Sequence, residues 1–273
     1  MQNVKPLVQI VHATGLGTWH RGRLEPLDAN GRDRFARFTR AVTASDAIWR
    51  KHPAWFVTSN LAPAHRELHD EAHLALLETI APRAAFTARM VLPSPLDTRS
   101  PRSAIAWPAP PLTERSVDGR TEVQLVGIDT ADGAVAAESI ARLASVAALY
   151  RGTETTRVVR IVASHHAIPA LLREPARLVP GPLAHVHLAA HTNALEPHAS
   201  RADLPPFFSP GAFARGSDPW SGSASVLRIY AAHAQPGAIL VERLVAMRSR
   251  ATGAWGWVAG DEHDLLGEWV VRA

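Results

Sequence analysis

The fold of this chain is decided by residues 121–164, which read TEVQLVGID (121–129), GAVAAESIARLASVAALY (133–150) and TRVVRIVAS (156–164). The first and last segments are rich in β-branched residues, which are typical of buried strands. The middle segment repeats apolar residues at helical spacing: Val135, Ile140, Leu143, Val146 and Ala147. A strand, a helix and a strand of these lengths predict a βαβ crossover with two parallel strands.

The residues before this unit predict further strands that alternate with helices. The sequence predicts strands in LVQIVHA (7–13), AWFVTS (54–59) and AAFTARMVL (84–92), and amphipathic helices over 31–52 and 62–83. Six prolines crowd residues 93–111, a density that regular elements do not tolerate. We therefore divide this half into an N-terminal α/β segment, 1–92, and a proline-rich excursion, 93–115.

The last hundred residues have the pattern of short strands and turns. LAHVHLAAH (183–191) predicts a strand, and residues 202–225 predict a long loop rich in proline, glycine and serine. Four further strands are predicted, in the segments 226–234, 238–249, 254–260 and 267–273. The expected fold is α/β or α+β: a mixed sheet with a βαβ unit at about 121–163 that continues, within 116–273, into an antiparallel β-rich C-terminal part. The whole is expected to be one compact domain or two closely packed lobes.

Composition excludes several classes of protein. The 273 residues are 47% hydrophobic and 20% charged, enough to bury a large core. The absence of cysteine excludes disulfides, thiolate nucleophiles and cysteine-ligated metals. The apolar runs are too short for a membrane span, and the N-terminal stretch lacks the layout of a signal peptide, so we expect a cytoplasmic protein with no membrane contact.

Charge argues against nucleic-acid binding, because the net charge is only +4 and the basic residues are scattered singly. Lys5 and Lys51 are the only lysines, which leaves almost no candidate for a Schiff base. The sequence also has no dinucleotide fingerprint, phosphate-binding loop or GxSxG elbow. These absences argue against NAD, ATP and pyridoxal phosphate, and they leave the cofactor of this protein unknown.

Polar residues stand at the carboxyl ends of four predicted strands. His12 ends the first strand; Ser59 and Asn60 end the second. Asp129 follows the first strand of the βαβ unit, and Ser164, His165 and His166 follow the second. Open α/β sheets bind ligands at this end of their strands, so these residues share one rim if the sheet is parallel throughout.

Histidines are also dense in residues 183–198. His185 and His187 are two apart, so on a strand both side chains leave the same face. Neutral imidazoles suit borderline metals, and His191 lies nearby. The alternation with Val186 and Leu188 instead predicts a half-buried strand whose histidine pair lies beside a pocket and binds no metal. A second group, His65, His69 and His73, lies at helical spacing. It predicts a solvated helix face rather than a metal site.

Two functions remain open. The first is an enzyme, a hydrolase or lyase, acting on a small, partly apolar organic substrate by histidine acid/base chemistry, with a metal possible. In it, His165 or His166 is the base, Asp129 orients it and His12 lies nearby; Ser59, Asn60, Ser164, His185 and His187 contact the substrate. The second is a non-catalytic assembly or partner-binding protein with a degenerate enzyme fold, docking through the proline-rich segment. A protein partner or a homo-oligomer fits either one.

Overall fold

The computed structural model describes residues 6–14, 18–20, 23–25, 53–59, 77–78, 81, 83, 85–93, 109–131, 133–135, 137–149, 156–166, 184–189, 207–208, 210, 220–231, 238–249, 251–252, 255–257 and 267–272. Its strands are β1 (Val8–His12), β2 (Thr18–His20), β3 (Arg23–Glu25), β4 (Ala54–Thr58), β5 (Ala88–Val91), β6 (Leu112–Arg115), β7 (Thr121–Ile128), β8 (Arg157–Ser164), β9 (Val186–Ala189), β10 (Phe207–Phe208), β11 (Trp220–Ala231), β12 (Ala238–Ser249), β13 (Trp255–Trp257) and β14 (Gly267–Arg272). Among these residues, the helix with defined bounds is α1 (Ala137–Leu149).

The strands form two large mixed sheets and a small hairpin. The seven-stranded sheet has the order β13-β12-β11-β1-β4-β5, with β14 also paired to β12. In it, β1 pairs in parallel with β4 and antiparallel with β11, so strands from the two ends of the chain meet. The five-stranded sheet has the order β10-β9-β8-β7-β6, and β2 pairs with β3.

The predicted βαβ unit is confirmed. Strands β7 and β8 are parallel over their full length, from Thr121 opposite Arg157 to Ile128 opposite Ser164. Between them, α1 places Leu143 and Val146 against Val126 and Val162. Its first turn carries Glu138, whose charge suits the positive end of the helix dipole.

The main core lies between the two sheets. Alternate residues of each strand point into it, because successive side chains of a strand leave opposite faces. Ile10 and Val57 enter from the seven-stranded sheet, and Ile161 and Leu188 enter from the five-stranded sheet. The opposite face of the seven-stranded sheet is buried as well, by a cluster that includes Val11, Phe56 and Leu77. Both faces of β1 and β4 are therefore covered, which accounts for their continuous apolar runs.

The expected α/β fold with a mixed sheet is confirmed, with two departures in detail. The condition of a single sheet, parallel throughout, is not met, because β1 and β4 lie in one sheet and β7 and β8 in the other. The predicted loop 202–225 is wrong in part, since it contains β10 and the first half of β11. Pairing with β12 supplies the backbone hydrogen bonds of β11, which overrides the weak strand preference of glycine and serine.

Several predicted elements lie outside the described residues. These are the helix over 31–52, most of the helix over 62–83 with its three histidines, and residues 94–108 of the proline-rich excursion. The last residues of that excursion, Leu112–Arg115, form β6, which pairs antiparallel with β7. Among the described helical residues, no helix is long and apolar enough to cross a membrane.

Candidate functional site

Polar residues from both sheets meet at the carboxyl ends of β1, β4 and β8. His12 is the last residue of β1, Ser59 follows β4, and His165 follows β8. The first two belong to the seven-stranded sheet and the third to the five-stranded sheet. The two sheets pack face to face through a shared core. The shared rim expected for a single sheet is thus built from two facing sheets.

Ser59 and His165 connect the two sheets directly. The Oγ of Ser59 lies 2.9 Å from Nδ1 of His165, and both residues are buried. The hydroxyl also lies 3.3 Å from the carbonyl oxygen of Leu92. A hydroxyl has one hydrogen to donate: it goes to Nδ1 of His165 in the tautomer in which that nitrogen is unprotonated, and to the carbonyl of Leu92 in the other. A serine oxygen and a histidine nitrogen at this distance have the geometry of a nucleophile and its base.

His12 is fully buried, and within the described part of the chain neither of its ring nitrogens has a hydrogen-bond partner. Burial, together with the nearby positive charge of Arg243 and the ring of His187, lowers the pKa of His12 to about 3. His12 is therefore neutral near pH 7, with one N–H to donate and one bare nitrogen to accept. A buried polar ring without partners is unusual in a folded protein and suggests a ligand site.

Arg243 brings a positive charge into the space between the sheets. It lies on β12 and is 1% exposed. Its guanidinium donates to Ser225 Oγ at 3.3 Å and lies 5.3 Å from the centre of the Phe208 ring. Burial lowers the pKa of Arg243 to about 10, so the side chain stays charged at neutral pH. Ser225 stands directly opposite His12 on the neighbouring strand, which places the charge beside the histidine.

A second buried pair joins Ser164 and His187. The Oγ of Ser164 donates to the carbonyl oxygen of His166 and lies 2.8 Å from Nε2 of His187. Since the hydroxyl hydrogen goes to the carbonyl, Nε2 of His187 carries a hydrogen and donates it to Ser164. Burial lowers the pKa of His187 to about 3. Val186 and Leu188 enter the core between the sheets, so His187 lies on the other face of β9.

His185 lies just before β9 and serves the backbone. Its ring Nδ1 accepts the backbone N–H of Arg160, and its backbone N–H donates to the carbonyl of Arg160. Burial, with the charge of Arg160, lowers the pKa of His185 to about 4. His185 and His187 are both buried, and β9 is covered on both of its faces. The prediction of a half-buried strand with a polar face is therefore wrong. Hydrogen bonds to Ser164 and to the backbone make that burial tolerable.

The remaining predicted residues are placed differently. The carboxylate of Asp129 accepts the N–H of Ala131, and its backbone N–H donates to Ser139, which is a turn-forming role. Among the described contacts, none joins this carboxylate to His165, so its role of orienting the base stays a prediction. The backbone N–H of His166 donates to Thr130 Oγ1, and its ring packs edge-on against His165 with centroids 4.6 Å apart.

Asn60 and His191 lie outside the described residues. Within the described ranges, no three histidine, aspartate or glutamate side chains come together as a set of metal ligands. The residue that sequence reasoning missed is Arg243. Its signal is its register in AILVERLVAMRS, where alternation places it on the same face as Ile239 and Val241. An arginine on the apolar side of a strand indicates a buried charge.

Comparisons with known proteins find likeness in structure alone. No protein-family model matches the sequence, and no curated protein matches it. A solved Vps29 double mutant from Entamoeba histolytica is 10% identical, with a TM-score of 0.39, covering 92% of this chain and 98% of that one. A predicted phosphoesterase from Streptococcus pneumoniae is 9% identical, with a TM-score of 0.40, covering 96% and 97%.

A third solved structure, a phosphatase from Mycoplasma pneumoniae, is 7% identical, with a TM-score of 0.41, covering all of this chain and 95% of that one. Likeness at these identities and TM-scores assigns no activity to this chain. Its function has to come from the residues that meet between the two sheets.

Proposed function

We propose that this chain is an enzyme that acts on a small, partly apolar organic substrate by histidine acid/base chemistry. The observation that carries the proposal is the 2.9 Å contact between Ser59 Oγ and His165 Nδ1. This distance lies within the range of about 2.6–3.2 Å expected for a nucleophile and its base. The two residues come from different sheets and are 106 positions apart in the sequence, so the fold alone creates the pair.

In this proposal His165 is the base and Ser59 is the nucleophile. His165 Nδ1 takes the hydroxyl proton as Ser59 Oγ attacks an electrophilic centre of the substrate, and it then gives the proton to the leaving group. A water molecule then attacks the ester formed on Ser59 while His165 takes a proton from it, and His165 returns that proton to Ser59 Oγ as the product leaves. This sequence is a hydrolysis, so the geometry favours a hydrolase over a lyase. Leu92, whose carbonyl contacts Ser59, and Met90 belong to the adjoining apolar core and suit an apolar substrate portion.

The alternative is a protein that binds a partner without catalysis. It is favoured by the burial of the pair: Ser59 is 0% and His165 2% exposed, so the described site is closed to solvent. On that hypothesis the hydrogen bond between them only ties the two sheets together. The two hypotheses differ in what a conservative substitution of Ser59 does, because a structural tie affects stability and a nucleophile affects turnover.

The test is hydrolysis of a panel of p-nitrophenyl esters and phosphate esters by the full chain. We expect Ser59→Ala and His165→Ala each to lower kcat by about 100-fold or more, the range for loss of a proton-transfer group. Ser223→Ala is the matched control, because Ser223 is also a buried serine, whose hydroxyl donates to the carbonyl of Pro210. Wild-type turnover in both site variants, or no turnover above the Ser59→Ala background, would overturn the proposal.

A further inference from the structure

Three residues between the sheets form a cluster that the serine–histidine pair does not use: His12, Ser225 and Arg243. His12 and Ser225 are opposite one another on β1 and β11, so their side chains leave the same face of the sheet. Arg243 reaches Ser225 from the next strand, β12, through its guanidinium. The cluster therefore joins three adjacent strands on the face that packs against the five-stranded sheet.

The chemistry of the cluster is that of a binding site for an oxyanion. Arg243 supplies a buried charge on a planar group whose N–H donors match the oxygens of a carboxylate or phosphate. His12, neutral and fully buried, has a ring N–H with no partner among the described residues. An apolar side chain of similar volume at position 12 would avoid that cost, so the ring is better explained by a ligand that accepts its hydrogen bond.

The cluster also lies next to the serine–histidine pair. His12 is opposite Val57 in the parallel pairing of β1 with β4. Ser59, two residues beyond Val57, leaves the same face of the sheet. His12 is thus one strand away from Ser59, and Arg243 is three strands away, so a bound anion would contact the His12 side of the pair.

We propose that His12, Ser225 and Arg243 bind an anionic group of the substrate, a carboxylate or a phosphate. This inference rests on the proposed function for its use in catalysis, since it names the substrate class of the same site. Binding itself is independent of turnover. The anion can bind to this cluster even if Ser59 is not a nucleophile.

The experiment is calorimetric titration of the full chain with inorganic phosphate and with acetate, at constant ionic strength set with sodium chloride. Arg243→Met keeps an unbranched apolar stem and removes the guanidinium with its charge, and His12→Leu removes the ring N–H. We expect each variant to bind about tenfold more weakly or worse, the range for loss of a charge-assisted hydrogen bond. Preference for phosphate or for acetate tells which kind of anion the site takes.

Arg160→Met is the matched control, because Arg160 is also a buried arginine but lies on β8 of the other sheet. It must bind phosphate as the wild type does, and so must Ser59→Ala, which separates this inference from the catalytic one. In the unaltered chain, the anion must shift a histidine ring resonance that His12→Leu removes. If the wild type shows no saturable binding and no such shift, or if Arg160→Met weakens binding equally, the inference is wrong.

Discussion

Acid should destabilise the protein through His12, and the size of the effect follows from its burial. His12 is fully buried, and burial, with the charge of Arg243, lowers its pKa to about 3, against about 6.5 in the unfolded chain. At a pH between these two pKa values, His12 is protonated in the unfolded state and neutral in the folded state. Stability is therefore full above about pH 6.5 and falls as the pH drops toward 3.

The magnitude follows from 1.36 kcal/mol for each pKa unit. From pH 8 to pH 5, His12 alone should lower the free energy of unfolding by about 2 kcal/mol. His12→Leu lacks the titrating group, so its free energy of unfolding should fall by about 2 kcal/mol less than that of the wild type over the same interval. The contributions of His185 and His187, which burial also holds neutral, cancel in this difference because both proteins keep them.

The assay is urea denaturation followed by circular dichroism at pH 8, 6.5 and 5, in buffers free of phosphate and carboxylates. Ser223→Ala serves as the control, because it perturbs a buried, non-titrating residue. Its stability should follow the wild-type dependence on pH. If the stability of His12→Leu also runs parallel to that of the wild type from pH 8 to pH 5, His12 is not held neutral by the fold, and the reasoning is refuted.

Three further substitutions test the packing and the backbone. Ile161→Ala should lower the free energy of unfolding by about 2–5 kcal/mol, because Ile161 is fully buried between the sheets; a loss below about 1 kcal/mol in urea denaturation would contradict that core. Gly133→Ala should cost about 1 kcal/mol, measured in the same way, because φ at Gly133 is +75° and an added Cβ meets no atom within 4 Å, which leaves only backbone strain. Tyr230→Phe should cost about 1–2 kcal/mol, because the Tyr230 hydroxyl donates to Glu242 at 2.7 Å; in a Glu242→Ala background, which has no side-chain acceptor, the same substitution should cost much less.

The local elements whose signal lies within one segment could be predicted from the sequence. The βαβ unit is the clearest case: β-branched runs and the helical spacing of Leu143 and Val146 sufficed, and the structure has all three elements. Strands β1, β4 and β5 were likewise readable from short apolar runs. The polar residues at the strand ends were readable for the same reason, since strand polarity alone decides which end of a strand His12 or His165 occupies.

Which of those strand ends meet could not be predicted from the sequence and is seen only in the folded chain. Two sheets rather than one bring His165 of β8 to Ser59 of β4, and the pairing of β1 with β11 brings Ser225 and Arg243 to His12. Periodicity records which face of its own strand a residue occupies, but it carries no information on the partner of that strand. Strands pair so that the apolar faces of both sheets are buried together. That burial depends on residues from the whole chain, so no single segment reveals it.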